Sequence, residues 1–431
     1  MKKDIKGKIR MKERRRLGYF LGVLLCMVVL LCACGSKQKE IVEITMIHGW
    51  GSTREDHIAM RQIYEEFAKE HPEIRINLVS MPSSTDVIHK TSDLLTIGKI
   101  PDIIFTGGEG GDSVYPFMIE KGYAVDLMPY IKADASFSKN ISPFIMENWI
   151  TEDGSLYTLS DVLLMSGYWY NKEIFQRVGI ESPPVTWNDW IVMCDKIKDY
   201  NEKTGESIAP FVLDVEHVSY LATVIQADEN IDTLKKICVE GVDVHQSYFL
   251  DVLDQMELIT KYARLEEGFN YLDTLSCFNK GETAIYINGV WANTMIDSDL
   301  DVAYSYFPSD NGKGISTRSA CVGYILGNTG DERRIEASIE FVKYMLSDEV
   351  AVRILESTGQ VTSNPNIDIT QVDVSERMEQ AFNSVQSAEI IIETPENLWN
   401  RGKKETYGKA LIQYLKGTIS EQEFTKIISE M

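Results

Sequence analysis

The chain alternates between two spacings of apolar residues. Ile41-Val42-Glu43-Ile44-Thr45-Met46 alternates and predicts a first strand, with His48 to Thr53 as the loop after it. From Glu55 to Glu70 the period changes. Ala59, Met60, Ile63, Tyr64 and Phe67 recur at helical spacing until His71-Pro72 ends the run. Ile74 to Val79 predicts a second strand, Asp86 to Ile97 a second helix stopped by Gly98, and Pro101 to Phe105 a third strand. Strands alternating with helices predict an α/β protein with a parallel sheet.

Further helices are expected over about 187–201, 216–228, 246–266, 333–346, 348–357 and 402–416. Thr186 is a natural N-cap, with Asp189 completing a capping-box pattern, so Trp187 and Trp190 are expected to pack that helix down. Trp169 is expected to pack within a strand. The stretch Phe278 to Trp291 is the most informative. Gly281 is expected to stop a helix ending near Phe278 and Asn279, and Ala284 to Ile287 is expected to be a buried strand. Asn288-Gly289 is then expected to turn the chain and deliver Trp291 to the strand's carboxyl end. Ligands of open α/β sheets sit off such ends, and an indole suits the apolar face of a sugar ring. Core filling is the other reading of Trp291.

Length and composition narrow the class. The 431 residues allow roughly two to three domains, and 44% hydrophobic with 25% charged residues describes an ordinary globular core. Net charge is −22, and residues 1–33 carry nine basic and two acidic groups, leaving 34 against 63 in the remainder. A body at −29 repels nucleic acid, so nucleic-acid binding is excluded as the main role. The loop Thr106-Gly107-Gly108-Glu109-Gly110-Gly111 lacks the lysine of a phosphate-binding loop, and Glu109 would repel phosphate. It reads as a tight turn that lets backbone approach a ligand. No His-Glu-x-x-His or Cys-x-x-Cys occurs, and Asp297 to Asp301 has Val302 where a calcium loop needs glycine. No metal, cofactor or disulfide is expected, and Cys194, Cys238, Cys277 and Cys321 read as buried thiols.

The N-terminus reads as targeting. Lys12, Arg14, Arg15 and Arg16 precede an apolar run from Leu17 to Leu31, and Met11 is an alternative start. Leu31-Cys32-Ala33-Cys34-Gly35 resembles a bacterial lipobox. That resemblance implies a signal peptide over 1–33, cleavage before Cys34, acylation of its thiol and a polar tether over 34–40.

The order of motifs along the rest of the chain resembles the family 1 extracellular solute-binding proteins of ABC importers, the maltodextrin-binding group especially. The motifs are Phe67 to Ile76, Pro101 to Phe105, Gly122 to Leu127, Tyr170 to Phe175, Pro183 to Trp187, Phe278 to Trp291, Phe341 to Glu349 and Thr358-Gly359. The resemblance implies two α/β lobes around a ligand cleft that closes by hinge motion. Projected onto this chain, one lobe takes about 41–162 plus 317–358 and the other 163–316 plus 359–431. Implied ligand contacts are Trp50, Gly51, Thr106, Glu109, Asp161, Glu216, Trp291 and Trp399. The pattern departs from the maltodextrin binder at Thr106, where that protein has Trp, and at Trp50-Gly51, where it has an acid and a lysine. Pro395 to Trp399 is also two residues shorter before its Trp.

The expected function is capture of a carbohydrate, probed by aromatic faces and gripped by carboxylates, and delivery to ABC permease subunits. The protein is expected to be a monomer at the outer face of the cell membrane, with no catalytic residues. Alternatives are the same fold binding a non-sugar solute or serving a sensor, and a lipid-anchored glycoside hydrolase using Asp161 or Glu216.

Overall fold

The structure is a computed structural model that describes residues 41–106, 114–240, 247–319, 322–392 and 401–431. The leader with Cys34, the loop carrying Glu109 and the segment carrying Trp399 lie outside the described residues. In chain order the strands are β1 (Val42–His48), β2 (Ile74–Ser80), β3 (Ile103–Phe105), β4 (Val162–Asn171), β5 (Ala209–Leu213) and β6 (Arg264–Leu265). They continue with β7 (Thr283–Gly289), β8 (Val302–Ser305), β9 (Ile315–Ser319), β10 (Tyr324–Leu326), β11 (Val361–Thr362) and β12 (Ile390–Ile392).

Two mixed sheets organise two lobes. A four-stranded sheet has the order β10-β3-β1-β2, with β1, β2 and β3 parallel and β10 antiparallel to β3. A larger sheet has the order β12-β9-β4-β7-β5-β6, with β8 and β11 also pairing with β4. Helix Glu55–Glu70 has the bounds its periodicity predicts, and it buries Met60, Ile63, Tyr64 and Phe67 against the smaller sheet's core. Each such fully buried side chain contributes about 1.5–3 kcal/mol. Thr186 and Asp189 form the expected capping box at the start of helix Trp187–Thr204, and Trp187, Trp190 and Trp169 are buried. Gly281 takes a φ of +71°, two residues past the end of helix Tyr271–Asn279, where a side chain would be strained.

Three expectations need correction. The helix expected over about 246–266 spans Ser247–Thr260, because Arg264 and Leu265 pair with β5 as β6 instead of continuing it. Asn288-Gly289 is not a turn: both residues belong to β7, Gly289 is extended at φ −79°, and the 3-10 helix Val290–Thr294 follows directly. Ladder bonds to β4, with Asn288 opposite Gly167 and Gly289 opposite Ser166, hold this dipeptide extended. The helix expected over 216–228 runs from Val215 to Glu240, since no Gly or Pro interrupts it.

The chain passes between the sheets at three places that lie side by side. Leu159 and Tyr324 exchange backbone bonds of 2.7 and 3.3 Å, the Ser363 N–H donates to the Asp161 carbonyl at 2.9 Å, and Leu164 pairs with Ser319. A Cβ on Gly323 would lie 2.1 Å from the Leu159 carbonyl oxygen, so the crossing strands approach this closely only with glycine there.

Candidate functional site

The carboxyl ends of β1, β2 and β3 fall at one level, because His48 is in register with both Ser80 and Phe105. The chain leaving β1 is held there by Met81 N–H to His48 O at 2.8 Å and Gly51 N–H to Met81 O at 2.9 Å. A Cβ on Gly51 would sit 2.4 Å from that Met81 oxygen. Glycine therefore lets the two loops close on each other and brings Trp50 over the sheet edge.

Trp50 is half-buried and fixed on several sides. Its ring lies 5.5 Å from Phe105 and meets His57 edge-on at 5.0 Å, its indole N–H donates to Tyr64 Oη at 2.9 Å, and Arg61 donates to its carbonyl. His48 shares a hydrogen bond of 3.0 Å with Ser80, and His57 one of 2.9 Å with Ser52. Burial, with Arg61 and His57 adding to it, pushes His48 down to about 4. Burial, then Arg54 and Arg61, push His57 down to about 4 against the opposing pull of Asp56. Both imidazoles are neutral at physiological pH, so they serve as hydrogen-bonding walls.

Thr106 and Asp161 stand behind this edge. Thr106 is buried and its hydroxyl donates to the Val322 carbonyl at 3.1 Å. Asp161 is 1% exposed; its Oδ2 accepts from Tyr324 Oη at 2.5 Å, and its Oδ1 is buried without a hydrogen-bond partner among the described residues. Burial raises its carboxyl to about 6, against the lowering effect of the Tyr324 bond.

The second lobe gathers its own edge. β5 and β7 are parallel, so the residues following each emerge together. Asp214 caps helix Val215–Glu240 by accepting from the N–H groups of Glu216 and His217, both at 2.9 Å. Its other oxygen pairs with His217 Nδ1 at 2.9 Å. Burial of the pair disfavours both charges, but the Coulombic and hydrogen-bond attraction wins: His217 titrates above its ordinary value and Asp214 below. Glu216 is exposed in the first turn. Past β7, Trp291 is half-buried, and its ring covers Gly289 so closely that a Cβ there would sit 2.0 Å from it. Tyr286 and Asn288 complete this edge, sharing a hydrogen bond of 2.5 Å, and His217 meets the Tyr286 ring at 5.9 Å.

One interaction links the two edges. The guanidinium of Arg54, on the loop after β1, acts electrostatically on the Tyr286 hydroxyl of β7. Arg54 is itself held by Asp56 through Nε to Oδ1 at 3.0 Å. The described site residues thus fall into two groups: Trp50, Gly51, Thr106 and Asp161 on one sheet edge, Glu216 and Trp291 on the other.

A family described as bacterial extracellular solute-binding protein matches residues 50–352. The chain belongs to this family. The multiple sugar-binding protein of Streptococcus mutans is 22% identical to this solute-binding protein over 375 residues, covering 81% of this chain and 82% of that one. The melibiose/raffinose/stachyose-binding protein of Bacillus subtilis is 27% identical over 194 residues, 44% and 41% of the two chains. Among solved structures, a Streptococcus pneumoniae solute-binding protein in complex with the blood group A-trisaccharide aligns with a TM-score of 0.74 at 22% identity. It covers 90% of this chain and 98% of that one. At that identity the likeness establishes the two-lobe fold.

Several residues of this solute-binding protein's cleft escape a reading of the sequence. His48, Arg54, Arg61, Tyr64, Asp214, His217, Tyr286 and Tyr324 all line or support the two edges. Only Asp214 carries a local signal, as an Asp directly before a helix. Tyr324 lies 163 residues from Asp161, and nothing near either residue announces the contact.

Proposed function

We propose that this solute-binding protein captures a carbohydrate of oligosaccharide size between its lobes and delivers it to an ABC permease. The observation that carries the reading is the pair of half-buried indoles, Trp50 and Trp291, each just beyond the carboxyl end of a strand and each in a different lobe. Aromatic faces held by their own frames offer a sugar's CH surfaces a flat apolar contact without a large ordering cost. Beside them, the Glu216 carboxylate, the Asn288 amide and the Arg54 guanidinium supply paired hydrogen-bonding groups for hydroxyls. The names of the sugar-binding relatives support the same class.

In this reading Trp50, Gly51, Glu216 and Trp291 touch the ligand, while Thr106 and Asp161 hold the edge from behind. Glu109 and Trp399 are assigned as further contacts on the family resemblance. The lobes are taken as 41–162 plus 317–358 and 163–316 plus 359–431. The protein acts without chemistry on its ligand, as a monomer held at the extracellular face of the cell membrane through acylated Cys34.

A thermal-shift panel of raffinose, maltotriose and chitotriose against dipeptides and spermidine tests this proposal. Ligand at a hundredfold excess over its Kd stabilises the folded protein by about 2.7 kcal/mol. A shift confined to carbohydrates is expected. Shifts confined to the peptides or spermidine would remove the carbohydrate assignment, and hydrolysed sugar in the wells would replace binding by catalysis.

A further inference from the structure

A chain of hydrogen bonds leaves the ligand edge and ends at the lobe crossing. Trp50 Nε1 donates to Tyr64 Oη at 2.9 Å, Tyr64 Oη lies 3.4 Å from Tyr324 Oη, and Tyr324 Oη donates to Asp161 Oδ2 at 2.5 Å. The members come from the loop after β1, from helix Glu55–Glu70, from β10 and from the segment entering β4. The backbone carbonyl of Asp161 then accepts from Ser363 N–H on another crossing segment at 2.9 Å.

The chemistry of the two ends fixes the direction of donation. An indole N–H can only donate, so Tyr64 Oη accepts from Trp50 and is left with its own proton to give. An ionised carboxylate can only accept, so Tyr324 must donate to Asp161 and receive from Tyr64. Every proton then points toward Asp161, and the bond to the carboxylate is charge-assisted. A neutral carboxyl that turned its proton onto Tyr324 would reverse the middle of the chain. Tyr64 would then face donors on both sides.

We propose that Tyr64, Tyr324 and Asp161 form a positioning relay that couples the orientation of the Trp50 indole to the charge of a buried acid at the lobe crossing. This extends the proposed function, since Trp50 matters to the ligand only if it is part of the platform. The groups facing Asp161 are the phenols of Tyr64 and Tyr324, both raised by burial and by the Asp161 charge itself. Those facing Trp50 are His48, His57, Tyr64, Arg54 and Arg61. The two histidines titrate near 4, and Asp161 near 6. Among the groups facing Trp50 and Asp161, a window from pH 5 to 8 therefore isolates the acid.

The test uses the ligand-free protein labelled with 15N-tryptophan. The Trp50 indole N–H resonance is identified by its absence from Trp50→Phe and followed from pH 5 to 8. One transition near pH 6 is expected, and it should vanish in Asp161→Asn and in Tyr64→Phe. A wild-type resonance that stays flat across this range overturns the relay. So does the same transition persisting in Asp161→Asn, where no carboxyl remains to titrate. If either variant fails to fold, the wild-type profile and Tyr324→Phe still decide. With no sugar added, failure here leaves the carbohydrate assignment standing. Loss of sugar binding with the transition intact would leave the relay standing.

Discussion

At the residue scale, the site depends on a few side chains whose surroundings set both their pose and their charge. The Trp291 ring rests on Gly289, and Gly289→Ala would place a methyl group where the ring now lies. This variant is expected to fold and to lose at least tenfold in carbohydrate affinity, measured by fluorescence titration, because the indole must move. Unchanged affinity would mean Trp291 is not a contact. Asp161 makes a prediction about pH. Its folded value of about 6 lies above the unfolded value near 3.9, so between these the native state holds more protons and stability falls as pH rises. Ionising it costs ~3 kcal/mol at neutral pH, the order set by two pKa units. Asp161→Asn should therefore gain on the wild type at pH 7.5 relative to pH 5 in urea denaturation, and an equal difference at both pH values would refute the assignment. Of this scale, the positions of Trp50 and Trp291 just past β1 and β7 were legible, since one lies between glycines and the other follows a short apolar run. The Tyr64–Tyr324–Asp161 contacts were not, since long-range side-chain pairing leaves no local pattern.

At the element scale, strands bring the candidate ligand groups to one level and crossings join the lobes. Strands β1, β2 and β3 and helix Glu55–Glu70 were legible because the apolar patterning is strong there and Pro72 and Gly98 punctuate it, whereas β10 was not expected. The misreading of Asn288-Gly289 has an equally plain cause. This dipeptide favours a hairpin turn locally, but the β4 ladder engages both residues and overrides the preference. The crossing carries its own prediction. Gly323→Ala drives a methyl into the Leu159 carbonyl and Ser160 Cα, at 2.1 and 2.4 Å, and should cost about 1–3 kcal/mol by overpacking. A urea midpoint unchanged from wild type would show that the crossing strands separate without penalty. Thr186→Ala, by contrast, removes only the cap of helix Trp187–Thr204, whose hydrogen bonds are to Asp189 and not to a crossing segment. It should cost about 1 kcal/mol and leave ligand affinity unchanged by titration.

At the scale of the whole molecule, the small sheet packs against two apolar clusters and the large sheet against two others, so each lobe has its own core, and three adjacent crossings join them. In the proposed site neither sheet edge alone would surround a ligand: the Trp50 edge lacks the Glu216 carboxylate, and the Trp291 edge lacks the Trp50 indole. Binding should therefore require both, with closure removing apolar ring faces from water. The order of motifs made this architecture legible in the sequence. The identity of the ligand was not, because it depends on the relative placement of loops from distant parts of the chain. The most direct measurement is titration calorimetry of the wild type, Trp50→Ala and Trp291→Ala with whichever of raffinose, maltotriose or chitotriose gives the largest thermal shift. One site is expected in the wild type, with at least a tenfold weaker Kd in each variant, a loss of about 1.4 kcal/mol or more. Wild-type affinity retained in either variant would contradict a carbohydrate held between the two lobes.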